Sequence, residues 1–109
     1  MADRIVIESI ERYAQALESS GLPVPFTVLM GSYARGDQDE WSDIDLVVVS
    51  PRFDGVPCRD DVNLLWRVAA RTDSRIEPIP CGERQWAEDT SSALIEIARR
   101  EGQRIPAAA

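Results

Sequence analysis

Hydrophobic residues recur at helical spacing in the first part of the chain. Between positions 3 and 20 they return at steps of three and four residues, which predicts an amphipathic helix. Asp3 is the expected N-cap of this helix, and Gly21 is expected to end it. The apolar stripe comprises Ile7, Ile10, Ala14 and Leu17.

Two further helices are predicted by the same spacing. One covers residues 60–71 and turns Trp66 toward the core. The other runs to about residue 101, and either Thr90 or Ser91 is expected to cap it. Both patterns indicate helices that pack one face against another layer of structure.

Three apolar segments are too short for helices and predict strands. They cover residues 26–30, 44–50 and 75–79, and they are rich in β-branched residues. The unbroken valines at 47–49 predict a central strand that is covered on both faces. The Pro-Cys-Gly sequence at 80–82 is expected to break the chain after the third strand.

The order of these elements predicts the fold class. Helix, strand, strand, helix, strand, helix is typical of an α/β (α+β) fold, in which helices pack on a small mixed β-sheet. Residues 32–35 are expected to form a single helical turn between the first two strands. The length predicts a single domain over residues 1–109.

Charge and composition exclude several kinds of chemistry. The chain carries 19 acidic and 12 basic residues, for a formal net charge of -7, so no nucleic-acid partner is expected. All basic residues are arginine, which excludes a P-loop, since that motif needs its lysine. The absence of histidine excludes histidine-ligated zinc and a Ser-His-Asp triad. Carboxylates are the main chemistry that is left.

Cysteine usage and hydropathy predict the compartment. Cys58 and Cys81 lie far apart and do not have the spacing of a metal site. Two free thiols in a reducing cytoplasm are the prediction, and a disulfide between them is the alternative. No signal-like segment and no long apolar run is evident, so we expect a cytoplasmic protein that does not enter a membrane.

A glycine and a serine follow the first predicted strand. Gly31 allows the backbone to approach a ligand closely, and Ser32 adds a hydroxyl donor at the start of a helical turn. These features predict a small phosphate cradle, although an ordinary strand-to-helix turn has the same sequence pattern. Arg35 follows one turn later, where it can contact a phosphate or pair with Asp37 or Asp39.

Two aspartates alternate with apolar residues at the start of the second strand. Asp43 and Asp45 are two residues apart, so their carboxylates project from the same face. Adjacent carboxylates repel each other unless a cation lies between them, which predicts a divalent metal site. Trp41, just before the pair, is expected to flank a nucleotide or to cover the core.

A third carboxylate completes the predicted site if the third strand lies beside the second. Glu77 then joins Asp43 and Asp45 on one face; the alternative is a solvated glutamate on an edge strand, which Pro78 favours. Three carboxylates beside a phosphate cradle suit two Mg²⁺ ions that bridge a triphosphate and activate a hydroxyl nucleophile.

The motif and its spacing resemble a known family. Gly31-Ser32, ten further residues and Asp43-Ile44-Asp45 resemble the signature of the DNA polymerase β-type nucleotidyltransferase superfamily. The motif sequence Gly-Ser-Tyr-Ala-Arg-Gly and the chain length resemble those of its minimal nucleotidyltransferase (MNT) branch. The resemblance extends over most of the chain, from the leading helix to the closing one.

The resemblance implies a role for each matching residue. Gly31 and Ser32 would hold the β and γ phosphates of ATP, and Asp43 and Asp45 would bind the two Mg²⁺ ions. Glu77 would be the third metal ligand and the general base, a position that is more often aspartate in the superfamily.

The same resemblance implies a partner. MNT proteins often resemble antitoxins that accompany a HEPN-domain toxin, and some transfer AMP to a tyrosine of that toxin. An adenylyltransferase with a HEPN-type partner is therefore expected. Two alternatives stay open: a non-catalytic module that masks its partner, and the catalytic subunit of a small-molecule nucleotidyltransferase.

Overall fold

The computed structural model describes residues 3–107, which form one mixed four-stranded sheet with helices on both faces. The helices are α1 (Arg4–Ser19), α2 (Ser32–Arg35), α3 (Arg59–Thr72), α4 (Glu83–Glu88) and α5 (Ala93–Glu101), with a 3₁₀ turn at Pro51–Phe53. The strands are β1 (Phe26–Met30), β2 (Ile44–Val49), β3 (Ile76–Cys81) and β4 (Gln103–Pro106). This architecture confirms the predicted fold class.

The sheet has the strand order β3-β2-β1-β4. Strand β1 is antiparallel to both β2 and β4, whereas β2 and β3 are parallel, which makes the sheet mixed. Strand β2 is central, as its run of valines predicts, and β3 lies at an edge. The parallel pairing brings the start of β3 beside the start of β2, where the aspartates lie.

Each face of the sheet has its own apolar cluster. Helices α1 and α3 cover one face and bury the larger cluster, whose side chains include Ile10, Tyr13, Leu46 and Leu65. Helix α5, with Trp86 of α4 at the margin, covers the opposite face above a smaller cluster. The second face is less fully covered, so it has room for polar chemistry at one end.

The first helix begins and ends as its sequence predicts. The Asp3 carboxylate accepts a hydrogen bond from the Ile5 amide at 3.0 Å, which makes Asp3 the N-cap. Gly21 follows the helix with a φ of 96°, a left-handed conformation that favours glycine. The last helix departs from prediction, because Ser92 caps α5 and Ser91 instead binds the Asp89 carboxylate.

Two features of the sheet differ from the prediction. Strand β3 continues through Pro80 to Cys81, although Pro80 was expected to break it. An edge strand tolerates proline because half of its amides have no ladder partner. Strand β4 was not predicted at all, since Ile105 is its one buried side chain and gives no periodic signal.

Two tryptophans are exposed where burial was one of the predictions. Trp66 on α3 is 51% exposed, so its predicted place in the core is wrong. Trp41 is 83% exposed, so it does not cover the core.

The free thiols are confirmed: Cys58 is exposed and Cys81 is buried, and neither forms a disulfide. Over residues 3–107, no helix has both the length and the apolar character needed to cross a membrane.

Candidate active site

The two aspartates flank a buried residue at the start of β2. Ile44 is fully buried, and its amide donates a 2.8 Å hydrogen bond to the Arg75 carbonyl. Alternation along the strand therefore directs the neighbouring Asp43 and Asp45 away from that core. Asp43 is exposed and Asp45 is partly buried. The sheet thus presents both carboxylates on the face that α5 covers incompletely.

Glu77 is brought to the same place by the parallel pairing of β2 and β3. Asp45 and Glu77 are register partners, so their side chains leave the same face of the sheet. The Asp43 carboxyl also lies close enough to Glu77 for its charge to raise the pKa of that side chain. Glu77 is exposed on an edge strand, as one alternative reading of its sequence held, yet it still lies beside both aspartates.

The charges of these carboxylates act on one another. The negative charge of Asp43, followed by desolvation and the charge of Asp45, raises the pKa of Glu77. Partial burial, followed by the charge of Asp43, raises the pKa of Asp45. The nearby guanidinium of Arg35 lowers the pKa of Asp45 again, but to a smaller extent. Like charges therefore converge at this point of the sheet.

The donor set suits a hard cation. Carboxylate oxygens are the ligands that Mg²⁺ prefers, and it usually keeps several water molecules or phosphate oxygens in addition. Within residues 3–107, no group of three or more acidic, cysteine or histidine side chains is arranged so that it could hold a metal ion. A cation at this point would therefore need ligands from a substrate or from water in addition to carboxylate oxygens.

Gly31 lies against the aspartate pair and has no room for a side chain. Its φ is 74°, and a Cβ atom at this position would be 2.6 Å from Oδ2 of Asp45. Strand pairing explains the contact, because Met30 is the register partner of Asp45. Glycine is therefore required twice here, by the backbone conformation and by the close approach of the carboxylate.

The turn after Gly31 forms as the sequence predicts. Ser32 begins α2, and the amides of Ala34 and Arg35 both donate to the Gly31 carbonyl at 3.1 Å. In helix geometry the amides of the two preceding residues, Ser32 and Tyr33, make no intrahelical hydrogen bond. Those two amides can therefore bind an anion. The Ser32 hydroxyl stands at the same end of the turn, which is the arrangement expected of a phosphate cradle.

Arg35 makes one of its two predicted contacts, the ion pair with Asp37, and its contact with a phosphate stays a prediction. Its Nε atom pairs with Oδ2 of Asp37 at 3.2 Å on the exposed side of α2. Its positive charge also acts on Asp45, where it partly offsets the rise in the pKa of that carboxyl. An exposed ion pair of this kind contributes little stability, so it costs little to release Arg35 to a phosphate.

One residue of this region was missed by the sequence reasoning. Arg75 contacts both Ile44, through its carbonyl, and Tyr33 of α2, through its guanidinium. The spacing Asp73-x-Arg75 just before a strand was the available signal, since it permits a local Asp–Arg pair.

Comparison with known proteins identifies the family of this constellation. The family model for the nucleotidyltransferase domain matches residues 10–101. The chain belongs to the nucleotidyltransferase domain family. The match includes both strands that carry the aspartates and Glu77, as well as the Gly31-Ser32 turn. Transfer of a nucleotidyl group is therefore the class of activity of this domain. No curated protein matches the sequence significantly.

Two solved structures share the nucleotidyltransferase fold of this domain. A Sulfolobus solfataricus protein assigned to the nucleotidyltransferases is 22% identical, with a TM-score of 0.58, over 72% of this chain and 68% of that chain. A toxin-antitoxin structure with AMP-PNP is 21% identical, with a TM-score of 0.61, over 90% of this chain and 73% of that chain. At these identities the likeness concerns the fold.

Proposed function

We propose that this domain is an active Mg²⁺-dependent nucleotidyltransferase that transfers AMP from ATP to a partner protein. One observation carries the proposal: Asp45 is the common neighbour of the other site groups. Gly31 approaches its carboxylate, Glu77 is its register partner, and the charges of Asp43 and Arg35 act on it. The proposed phosphate cradle and the proposed acidic ligands thus meet at one point.

The proposed roles follow from this placement. Asp43, Asp45 and Glu77 would hold two Mg²⁺ ions together with the phosphates of ATP, and these ions would neutralise the charge of the leaving pyrophosphate. The Ser32 hydroxyl and the amides at the start of α2 would donate hydrogen bonds to the phosphate oxygens. Arg35 would add a positive charge beside them.

The chemical step would join an acceptor hydroxyl to the α-phosphorus of ATP. The hydroxyl oxygen forms the new P–O bond as the bond to pyrophosphate breaks, so AMP is transferred and pyrophosphate leaves. Glu77 is the proposed general base, since its carboxylate has a raised pKa and would accept the hydroxyl proton at an Oε atom.

The proposed acceptor is a HEPN-type toxin. The MNT-like sequence of the motif supports this acceptor. The fold likeness to a structure of a toxin-antitoxin with AMP-PNP supports it as well. A net charge of -7 suits a basic partner protein and disfavours nucleic acid. Two free thiols agree with the cytoplasm as the proposed compartment.

A labelling experiment tests the proposal. The protein is incubated with α-labelled ATP, MgCl₂ and a HEPN-type partner from the native host, and transfer of label is followed on a gel. Asp43→Asn and Asp45→Asn are expected to abolish labelling, as is EDTA. Asp60→Asn is the matched control, because it makes the same change in the first turn of α3.

The outcomes separate the alternatives. Equal labelling by the wild type and both site variants would refute catalysis at this site. Variants that lose transfer but still neutralise the partner would favour a module that masks its partner without chemistry. Transfer to a small hydroxylated compound, and not to protein, would favour the small-molecule transferase.

A further inference from the structure

The Arg75 side chain is anchored to the rest of the fold by an ion pair. Its Nε and Nη2 atoms form a bidentate pair with Asp73, at 3.0 Å to Oδ1 and 2.7 Å to Oδ2. Asp73 also accepts a 2.7 Å hydrogen bond from the Ser9 hydroxyl of α1. The Asp73 side chain is only 11% exposed, whereas the Arg75 side chain is 44% exposed, so the acidic half of this anchor is the sheltered one.

The remaining arm of the guanidinium contacts the phosphate turn. Nη1 of Arg75 donates to the Tyr33 hydroxyl at 3.1 Å, and the guanidinium carbon lies 5.7 Å from the centre of the Tyr33 ring. Tyr33 is the second residue of α2 and is 5% exposed. The anchored arginine therefore fixes the short helix that follows Gly31.

The backbone of Arg75 contacts the acidic half of the site. Its carbonyl accepts the hydrogen bond from Ile44, the residue between Asp43 and Asp45, at 2.8 Å. Glu77 lies two residues further along β3. Arg75 is thus in contact with the phosphate turn and with the aspartate strand, and it directly precedes the strand of the third carboxylate.

We propose that Arg75 is a positioning residue that couples the Gly31-Ser32 turn to the three carboxylates, and that this coupling determines the affinity for a magnesium nucleotide. This inference rests on the proposed function. The turn has only four residues in its helix, so a tertiary contact must restrain it. The Asp73–Arg75–Tyr33 clamp, as we call these three residues, supplies that contact.

Nucleotide affinity tests the clamp in one arm. The dissociation constant for ATP with excess MgCl₂ is measured by calorimetry for wild type, Tyr33→Phe, Arg75→Lys and Arg75→Gln. Arg75→Gln is expected to weaken binding about tenfold and Tyr33→Phe about threefold, as charge-assisted hydrogen bonds are lost. Arg75→Lys should restore part of the affinity, since it keeps the charge but not the fork.

Arg52 offers a matched control far from the phosphate turn. It also makes a bidentate pair, with Asp61 at 3.2 and 2.8 Å, and its third arm binds the Gly21 carbonyl at 3.2 Å. Arg52→Gln should therefore lower the melting temperature like Arg75→Gln but leave ATP affinity unchanged. An equal loss of affinity in both variants would reduce Arg75 to a purely structural role and overturn the inference.

A second arm needs no nucleotide. Hydrogen–deuterium exchange of the Ala34 and Arg35 amides is followed in the ligand-free protein. These amides are expected to exchange several times faster in Arg75→Gln and Tyr33→Phe, but not in Arg52→Gln. If wild type does not bind Mg-ATP, the proposed function fails while this arm still decides the clamp. If Arg75→Gln does not fold, Tyr33→Phe decides it, and unchanged exchange there overturns the inference.

Discussion

The two faces of strand β2 serve different purposes. The face under α1 and α3 holds Ile44, Leu46 and Val48, and the face under α5 holds Asp45, Val47 and Val49. On the first face every side chain is buried, from one end of the strand to the other. On the second face the apolar cover stops before Asp45. A single strand thus combines a continuous core with a polar opening at one end.

The acidic groups near the two faces respond to folding in opposite directions. Hydrogen bonds from Arg75 lower the pKa of Asp73, on the core side, so its charged form is stabilised by the fold. Burial and the neighbouring Asp43 raise the pKa of Asp45, so its charged form is destabilised. A carboxylate whose charged form is destabilised in this way is common at functional sites, because a bound cation can relieve the repulsion.

The largest expected effect comes from Asp45→Asn. Removing the charge takes away a metal ligand, so transfer should fall at least about a thousandfold. The same change relieves repulsion with Asp43, so the melting temperature should stay the same or rise at neutral pH. Label transfer and thermal unfolding of the same preparation check the two halves of this prediction.

Leu46→Ala is the control on the opposite face of the strand. Leu46 is fully buried, so truncation should cost about 2–5 kcal/mol of unfolding free energy. Transfer measured well below the lowered melting temperature should change little. The comparison between faces is wrong if Asp45→Asn destabilises the fold as much as Leu46→Ala does.

The second prediction concerns the contact between Gly31 and Asp45. In Gly31→Ala the new Cβ would meet Oδ2 of Asp45 at 2.6 Å, so the carboxylate must move. Transfer should fall about a hundredfold, as small displacements of catalytic groups do. Kinetics at saturating ATP would measure the loss.

Gly36→Ala separates crowding from backbone strain. Gly36 has a φ of 82°, yet a Cβ there would meet nothing within 4 Å. This variant should therefore show the strain alone, about 1 kcal/mol of stability, and retain most of the transfer. Similar kinetics for the two alanine variants would show that the approach to Asp45 is irrelevant.

The third prediction concerns the length of the third carboxylate. Glu77→Asp keeps the charge but shortens the side chain by one methylene, so transfer should fall about tenfold. Glu77→Ala should leave almost none. Glu101→Asp makes the same shortening on an exposed residue of α5 and should be neutral. Indifference to both changes at Glu77 would assign the third ligand to another residue.

Local signals explain why so much of the fold was predictable. The apolar run at Phe26–Met30 predicts β1 with its observed bounds, and the valines of β2 predict a central strand. Strand β4 lacked such a signal, because its pairing with β1 arises only after α5 turns the chain back. Trp66 was misplaced because helical spacing alone does not show how far the covering layer extends.

The candidate site was predictable from the sequence only in part. The spacing of Asp43 and Asp45 predicts their common face without tertiary information. Their approach to Glu77 depended on the register between β2 and β3, which sequence left open. The contact from Arg75 to Tyr33 spans 42 positions and links residues with no shared periodicity, so only the structure reveals it.

The smallest expected effect is a pH dependence on the core side. The Arg75 and Ser9 hydrogen bonds lower the pKa of Asp73 from 3.8 to about 2. The unfolded chain therefore binds the proton more readily, so this contribution is complete above about pH 4 and is lost as the pH falls toward 2. It amounts to about 1–2 kcal/mol, because Arg75 is partly exposed and water screens the pair.

Urea unfolding at several acidic pH values would measure this contribution. Asp73→Asn should be less stable than wild type at pH 5, and the difference should shrink as the pH approaches 2. Ser9→Ala removes one of the hydrogen bonds to Asp73 and should show part of the same convergence. A constant difference between wild type and Asp73→Asn at every pH would show that the pair stabilises through packing alone. The core-side acid would then not differ from Asp45 in the sign of its response to folding.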